Sequence, residues 1–565
     1  MSFSPTPTIT SDYYKETHFE HYPASMTKLV SYLTPRMSRV TEQELIFFGL
    51  QYFIKDFLQG TFNAKFFGVS KEKAIAKYAR IMKYTMGERF ADTTRWEKLW
   101  DLGYLPLEIK AVPEGTKVPV HCPMIEISNT NADFVWLVNF IETALSCTMW
   151  HTMTSANMGY KYRQIANKWY DKTVDDSVPV STAIGDFSMR GQESIESATK
   201  SSAAFLLSFR NTATIPAIEF LEDYYNANVE NEIVGCGCAS TEHSVMCSNT
   251  AIDGNEHDFV KKLLTIIYPQ DNFTMVSDSY DYWGMFDILA MEDIKQAVLA
   301  HNGFIGIRGD SGDPVEILCG KPCMIFKNNE DFESYRAKMW DGCTHDEYKE
   351  IRNGDIVRIA NEYKVVIVNG YDQILHNIVV DKEFMGTVES LDKIYGHTVN
   401  SKGYKVLNKA VKAIYGDSIT PERAELIYNI LEQKGFSANC VSLGMGSYSL
   451  QASEGNTPTT RDTFSIAVKS TYGEYKDTDG TIKPLMIFKN PKTDTGHFKK
   501  SQKGCCIVTK NEDGHISYDD EFDFVTADLA ASSKVNLLQT VFKDGVVVKD
   551  QSLSEIRDLL HDGKF

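Results

Sequence analysis

The chain has 565 residues, 43% of them hydrophobic and 24% charged, a globular balance over a length that one hydrophobic core does not usually serve. Its 58 basic and 76 acidic side chains leave a net charge of −18, which argues against general nucleic-acid binding and makes any local cluster of Lys and Arg informative. Eleven cysteines without a C-x-x-C pair read as free thiols, and neither a signal-peptide pattern nor an apolar run of about 18 residues occurs, so a cytoplasmic protein with no membrane partner is expected.

The first ten residues, rich in Ser, Thr and Pro, read as a loose arm, with order beginning near Asp12. Residues 41–58 carry apolar groups at helical spacing behind Thr41 and predict a helix. Residues 107–128 predict short strands broken by Pro-Glu-Gly and Val-Pro turns, and a long helical region runs from about 133 to 170. From about residue 180 strands alternate with helices. The clearest unit is AVKAIYGDS, then Thr420 as N-cap with Pro421 behind it, then ERAELIYNILEQKG and ANCVSLGMGS, a β-α-β unit that implies parallel strands. FTMVSDSYD at 273–281 and GFIGIRGDSGDP at 303–314 repeat the pattern of an apolar strand ending in Asp or Gly, and the C-terminal ends of parallel strands are where such folds bind ligands. Residues 320–400 interrupt the rhythm and read as an inserted subdomain. After about 463 come short strands, the basic run KNPKTDTGHFKKSQKG and a last helix capped by Ser552 or Ser554. The resulting division is 12–180, then 181–462 with the insertion, then 463–565.

Asp278, Asp310 and Asp417 each follow an apolar strand and can face a common pocket, where carboxylates suit a sugar-centred reaction whose transition state is oxocarbenium-like. Capping of the next helix is the plain alternative for each. Beside Asp310, Arg308 can grip a phosphate in a bidentate way. Arg308-Gly309-Asp310 is also the triplet of an integrin-binding loop, but it follows the apolar FIGI run and should be partly buried. His243 stands next to Glu242 with no nucleophile–base pair nearby. Phe187 and Arg190 can hold a flat polar ring, though core packing accounts for Phe187 equally well. The glycines of GMGSYS allow a phosphate to approach backbone N–H groups, a weak signal alone. Arg461, Lys469, Lys489, Lys499, Lys500 and Lys503 can hold a polyphosphate, the last three reading rather as a solvated face. These residues together describe a phosphate-handling, sugar-binding α/β protein.

Taken in order, SDYYKETHFEHYP, AVPEGTKVPV, GDFSMRG, TEHSVMCS, VSDSYD, IRGDSGDP, SKGYK with IYGDS, LGMGSYSLQ, TRDTF, and FKNP with KKSQKG resemble the nicotinamide phosphoribosyltransferase family from about residue 12 to 556, outside most of 320–400. The resemblance implies an incomplete α/β barrel of the type II phosphoribosyltransferases, beside a β-rich domain built from both chain ends, with the active site at a homodimer interface. It implies that Phe187 and, from a second copy, Tyr14 sandwich the pyridine ring of nicotinamide. Arg190 and Arg308 would contact amide and phosphate groups; Asp310, Gly416 and Asp417 the ribose; Gly446 and Ser447 its 5′-phosphate. Arg36, Arg461, Lys469 and Lys489 would bind pyrophosphate, with Asp278 at the catalytic centre and Mg²⁺ assisting the leaving group. His243 would be the histidine phosphorylated by ATP. The implied reaction joins nicotinamide to phosphoribosyl pyrophosphate.

Three departures bear on that reading. Ala213, in FRNTATIPA, stands where the family has an Asp that accepts from the carboxamide, which opens the choice between nicotinamide and nicotinate. Ser447, Tyr448 and Ser418 replace glycines around the donor's phosphate end. The insertion follows IRGDSGDP directly, where it can cover or extend the donor pocket. Together these motivate an alternative within the fold, a transferase that uses ADP-ribose pyrophosphate and makes NAD directly. An adhesion protein and an inactive scaffold are the readings from other classes.

Overall fold

The computed structural model describes residues 5–340, 350–369, 372–416, 418–491, 493 and 500–565. Two seven-stranded sheets organise the chain. The first is antiparallel, in the order Ile482–Met486, Ile466–Lys476, Met26–Pro35, Ile125–Asn129, Leu107–Ala111, Gln539–Lys543, Val546–Val547, so strands from both chain ends pair side by side. Met26–Pro35 runs against Ile466–Lys476 with Tyr32 opposite Lys469. Its apolar faces pack with Phe47, Phe62, Trp96 and Leu137 into one core, while the helix Glu142–Thr173 leads from this domain to the next.

The second sheet is parallel throughout, in the order Asn211–Thr212, Ile184–Asp186, Val441–Met445, Val411–Tyr415, Ile305–Gly309, Phe273–Val276, Ala239–Ser240. Continuous apolar runs such as FTMV and VKAIY suit strands buried on both faces. The two edges nearly meet. Thr212 N–H donates to Cys236 O at 3.0 Å and Cys236 N–H to Arg210 O at 2.7 Å, just ahead of Ala239, and curl the sheet into a barrel that is all but closed. The expected incomplete α/β barrel beside a β-rich domain of both chain ends is therefore what the chain forms. The β-α-β unit also falls as read: Thr420 Oγ1 accepts from Arg423 N–H at 3.3 Å and caps the helix Pro421–Gln433.

Between the Pro314–Cys319 helix and the Thr387–Tyr395 helix lies a sheet of its own, Met324–Phe326, Ile356–Ile359, Glu362–Asn369 and Asp372–Ile378, with a separate apolar cluster around Phe326, Phe332 and Val357. A buried polar knot joins it to the barrel. Lys434 Nζ donates to Cys319 O (2.6 Å), Met385 O (3.0 Å), Tyr363 Oη (3.1 Å) and Glu389 Oε2 (3.1 Å), and Arg358 Nε lies 3.5 Å from Glu389. The Thr387–Tyr395 helix, by contrast, buries Val388, Leu391 and Tyr395 in the barrel's own core.

Two local expectations fail. Within the stretch read as a loose arm, Pro7–Ile9 forms a short helical turn with Pro7 and Thr8 buried. Residues 41–58 are not a single helix: Glu44–Ile46 is a strand paired with Lys117–Pro119, and helix begins only at Leu50, behind Gly49 at φ +107°. The buried carboxylate of Glu114 sets that start, accepting from Gly49 N–H at 2.7 Å and Gln51 N–H at 2.6 Å. The last helix, Leu553–His561, is capped by Ser552 in a box with Glu555. All ten described cysteines are free thiols, and among the described residues no helix is long and apolar enough to cross a membrane.

Candidate active site

Seven strands end on the same face of the barrel, and residues just past six of those ends line one cavity of about 1060 Å³. Phe187 and Arg190 follow Ile184–Asp186; Ala213 follows Asn211–Thr212; His243 follows Ala239–Ser240; Arg308 and Asp310 close Ile305–Gly309; Gly416 follows Val411–Tyr415; Ser447 follows Val441–Met445. A second cavity of about 1000 Å³ occupies the barrel itself and shares Phe187, Ala213 and Arg308 with the first. No described residue of 320–400 lines the outer cavity; the polar knot fastens the described part of the insertion to the outer helices.

Arg308 is fixed from three sides. Its guanidinium donates to Ser240 Oγ at 2.8 Å and Thr241 O at 3.4 Å and pairs with Asp310 Oδ2 at 3.3 Å. Asp278 lies beneath, buried; Oδ2 accepts from Asp310 N–H at 3.1 Å and Ser311 Oγ at 2.6 Å, while Oδ1 has no hydrogen-bond partner. Asp278 thus braces the loop that carries Asp310 rather than lining the cavity. His243 opens the helix His243–Asp253 with an exposed ring; Nδ1 lies 3.1 Å from Ser279 Oγ, and Nε2 is 3.9 Å from Asp278 Oδ1. Burial, with Asp310 and Asp278 close by, pushes the Tyr415 phenol up to about 12, and its hydroxyl donates to Gly312 O at 2.8 Å.

Two close approaches shape the donor end. A Cβ on Gly416 would lie 2.5 Å from Asp310 Oδ1 and 3.1 Å from Arg308 Cδ, so only glycine lets that strand end pass. Gly191 sits against Ser447, where a Cβ would lie 2.0 Å from Oγ, and Gln451 Nε2 donates to Gly191 O at 2.8 Å. Gly446 precedes the short helix Ser447–Gln451. Asp417 lies outside the described residues. Its neighbour Ser418 has φ +62°, the left-handed backbone that favours glycine. Opposite, Asp186 ties two loops together, accepting from Ser188 N–H, Thr212 Oγ1 and Thr214 Oγ1, each at 2.9 Å.

Tyr14, Arg36, Arg461, Lys469 and Lys489 do not line this cavity; they sit on the antiparallel domain. Burial lowers the Lys469 amine from its ordinary value, Glu142 opposing and Arg36, Lys15 and Lys489 adding to the shift, which marks these cations as one cluster. Burial raises the Tyr14 phenol, Glu142 and Asp12 adding and Arg461 opposing. Arg36 Nε donates to Ser465 O at 3.3 Å, and Lys489 N–H donates to Ser501 Oγ at 2.9 Å. Lys503 pairs with Glu521 at 3.2 Å, while Lys499 lies outside the described residues. Sequence reading missed Ser240 and Thr241, which orient Arg308, and Lys15 and Glu142, which belong to the basic cluster. Only adjacency gave a signal, Lys15 following Tyr14 and Ser240 preceding TEHSVMCS.

Comparison with known proteins agrees with this geometry. Residues 182–546 match the family model described as the nicotinate phosphoribosyltransferase (NAPRTase) family, and residues 7–109 match the nicotinamide phosphoribosyltransferase N-terminal domain. The nicotinamide phosphoribosyltransferase of Acinetobacter baylyi is 34% identical over 99% of this chain and 98% of its own, and that of Xanthomonas campestris 26% identical over 97% of each. Among solved structures, nicotinate-nucleotide pyrophosphorylase from Pyrococcus furiosus shares the fold with a TM-score of 0.51 at 12% identity, over 100% of this chain and 96% of that one. The barrel, the order of its strand-end residues and the full-length match say the same thing: this chain belongs to the nicotinamide phosphoribosyltransferase family.

Proposed function

We propose that the chain transfers the phosphoribosyl group of phosphoribosyl pyrophosphate to the ring nitrogen of nicotinamide, giving nicotinamide mononucleotide and pyrophosphate in the salvage of NAD. One observation carries this reading: Phe187, Arg190, His243, Arg308, Asp310, Gly416 and Ser447, from five different strand ends, line one cavity.

In that cavity Phe187 offers one face to the pyridine ring, with Arg190 beside it. The ring nitrogen has a free lone pair, so positioning rather than a strong general base is what the reaction needs. Asp310, held by Asp278 through its own N–H, places a carboxylate against the ribose, where it stabilises positive charge as the bond to pyrophosphate breaks. Arg308 neutralises phosphate from a guanidinium already oriented by Ser240 and Thr241. Gly416 and Ser447, with Gly446 and Asp417, meet the ribose and its 5′-phosphate.

The basic cluster of Arg36, Arg461, Lys469 and Lys489 suits the pyrophosphate of a neighbouring copy, with Tyr14 closing over the pyridine ring from the other side. The site is then shared across a homodimer.

Mg²⁺ takes one or two carboxylates and fills its remaining positions from water and substrate phosphate. The buried Oδ1 of Asp278, which accepts no hydrogen bond, and the carboxylate of Asp310 fit that demand, although the described residues hold no cluster of three His, Cys, Asp or Glu for a metal. The ion would offset charge on the leaving pyrophosphate. His243, exposed on the cavity wall, is the proposed phosphoryl acceptor that couples ATP hydrolysis to synthesis.

The test is to supply nicotinamide with phosphoribosyl pyrophosphate or with ADP-ribose pyrophosphate and weigh the products. Nicotinamide mononucleotide from the first donor is expected; NAD formed only from the second would overturn the reading.

A further inference from the structure

The short helix Tyr13–Thr17 is inside out. Tyr13 and Tyr14 are 54% and 58% exposed, while Lys15 and Glu16, the next two residues, are 6% and 5% exposed. Burying ions and exposing aromatic rings is the reverse of what water favours, so each buried charge must be held by a specific partner. Lys15 pairs with Glu142 at the start of the Glu142–Thr173 helix. Glu16 is gripped twice by Arg95 of the Thr94–Leu102 helix, whose guanidinium donates to its carboxylate at 2.5 Å and to its backbone carbonyl at 2.9 Å. Arg95 is itself immobilised. It donates to Tyr78 Oη at 3.1 Å and lies 4.3 Å from the ring centre of Phe19 and 4.8 Å from that of Trp136.

Two adjacent residues are thus each held by a partner on a different helix, which restrains the backbone that carries Tyr14. Tyr14 is exposed, and among the described aromatic residues its ring neighbours His18, at 5.3 Å between ring centres. We propose that the buried pair of Arg95 and Glu16 is a positioning element that holds the Tyr14 ring ready to close over the base site of a second copy. This rests on the shared site proposed above. A ring fixed before docking forfeits little freedom when it stacks, so the pair should act on affinity for the base and not on the donor.

The pair can be removed without leaving a buried charge, as Arg95→Met with Glu16→Leu, because apolar residues of similar volume commonly replace a buried ion pair without loss of stability. KM for nicotinamide and for phosphoribosyl pyrophosphate, kcat and Tm would be measured on the full chain for this double variant, for Tyr14→Ala and for the triple. We expect the double variant to raise the nicotinamide KM by about tenfold with the donor KM within about twofold, and the triple to be no worse than Tyr14→Ala, since residues acting through one another are not additive. Additive effects, or an equal rise in both KM values, would show the pair to be structural only. If Tyr14→Ala raises the nicotinamide KM and the double variant does not, the positioning role alone falls. Should Tyr14→Ala itself leave that KM unchanged, the shared site and the positioning role fall together. If the double variant does not fold, Glu16→Gln keeps an acceptor for Arg95, and the same selective rise, smaller at about threefold, is required of it.

Discussion

Arg308 and Asp310, two residues apart at one strand end, pair with each other across 3.3 Å while both line the cavity. An adhesion loop presents the arginine and aspartate of this triplet to solvent on an exposed turn. Here Gly309 is buried inside the barrel sheet and the guanidinium is tied back to Ser240 and Thr241. The partial burial expected of this triplet from the apolar run before it is what the structure has. Arg308→Ala is therefore expected to lower kcat/KM for the donor by about a hundredfold, the scale of a lost charge-assisted contact. Unchanged kinetics in a variant of unaltered Tm would remove Arg308 from the clamp.

Gly416 gives a sharper geometric test. Its missing Cβ is the space Asp310 occupies, and strand packing on both sides leaves the backbone no room to retreat. Gly416→Ala should turn the Asp310 carboxylate away from the ribose and cut kcat by at least about tenfold, since displacements of 1 Å at a reacting centre are that costly. A crystal structure of the variant with Asp310 unmoved, or a rate within about twofold of the parent, would show that the contact is not tight.

His243 is exposed and contacts Ser279 and Asp278, so its removal should cost the fold little. With His243→Ala, nicotinamide mononucleotide should still form, but the rate should no longer respond to ATP. The comparison is of initial rates with and without ATP; stimulation that survives in the variant would relocate the phosphoryl acceptor.

Strand ends were legible because each couples an apolar run to a polar stop. FTMV, FIGI and VKAIY announce the buried parallel strands, and past FIGI the residues Arg308 and Asp310 fall in one cavity. Asp278 shows the limit of that logic. Its position past a strand is the same, yet the neighbouring loop folds over it and makes it a brace for Asp310 and Ser311. The start of the helix at Leu50 was illegible for a different reason: its cap is Glu114, more than sixty residues away in sequence, and apolar spacing cannot show a partner that distant. Lys15 and Glu142 were missed in the same way, a half-buried pair joining two segments with no local pattern in common.

Glu114 carries a pH signature. Burial pushes its carboxyl up to about 7, against the opposing pull of the donors from Gln51, Gly49 and Tyr225. Between about 4.5, the ordinary value, and about 7 the unfolded chain has released this proton while the folded chain keeps it, so stability falls as pH rises and the loss is complete above 7. Buried Glu16 shifts in the same direction. The fall due to Glu114 is on the order of 3 kcal/mol at about 1.36 kcal/mol per pKa unit. Urea unfolding at pH 5 and pH 8 should show it, and Glu114→Gln should shrink the difference. A variant with the parent's full pH dependence would place the titration elsewhere.

The choice of base turns on what faces the substituent of the pyridine ring. Ala213 borders both cavities beside Phe187 and presents only a methyl group. Asp186, whose backbone carbonyl accepts from Ala213 N–H at 2.8 Å, does not replace the missing acceptor, because its carboxylate is buried and already takes one N–H and two hydroxyl donors. A carboxamide placed against Ala213 would therefore find no free acceptor on Asp186, and the carboxylate of nicotinate would meet no repulsion from it, while Arg190 and Arg308 line the same cavity. Discrimination between the two bases should accordingly be weak. Ala213→Asp restores both effects at once, an acceptor for the amide N–H and a like charge against nicotinate. At a separation of about 4 Å near a protein surface the repulsion alone approaches about 4 kcal/mol before screening, so even a partly screened charge should improve the nicotinamide-to-nicotinate ratio of kcat/KM by at least about tenfold. Competition assays with both bases on parent and variant measure it directly; a ratio that does not move would mean that selectivity is set at another wall of the cavity, with Arg190 the first residue to exchange.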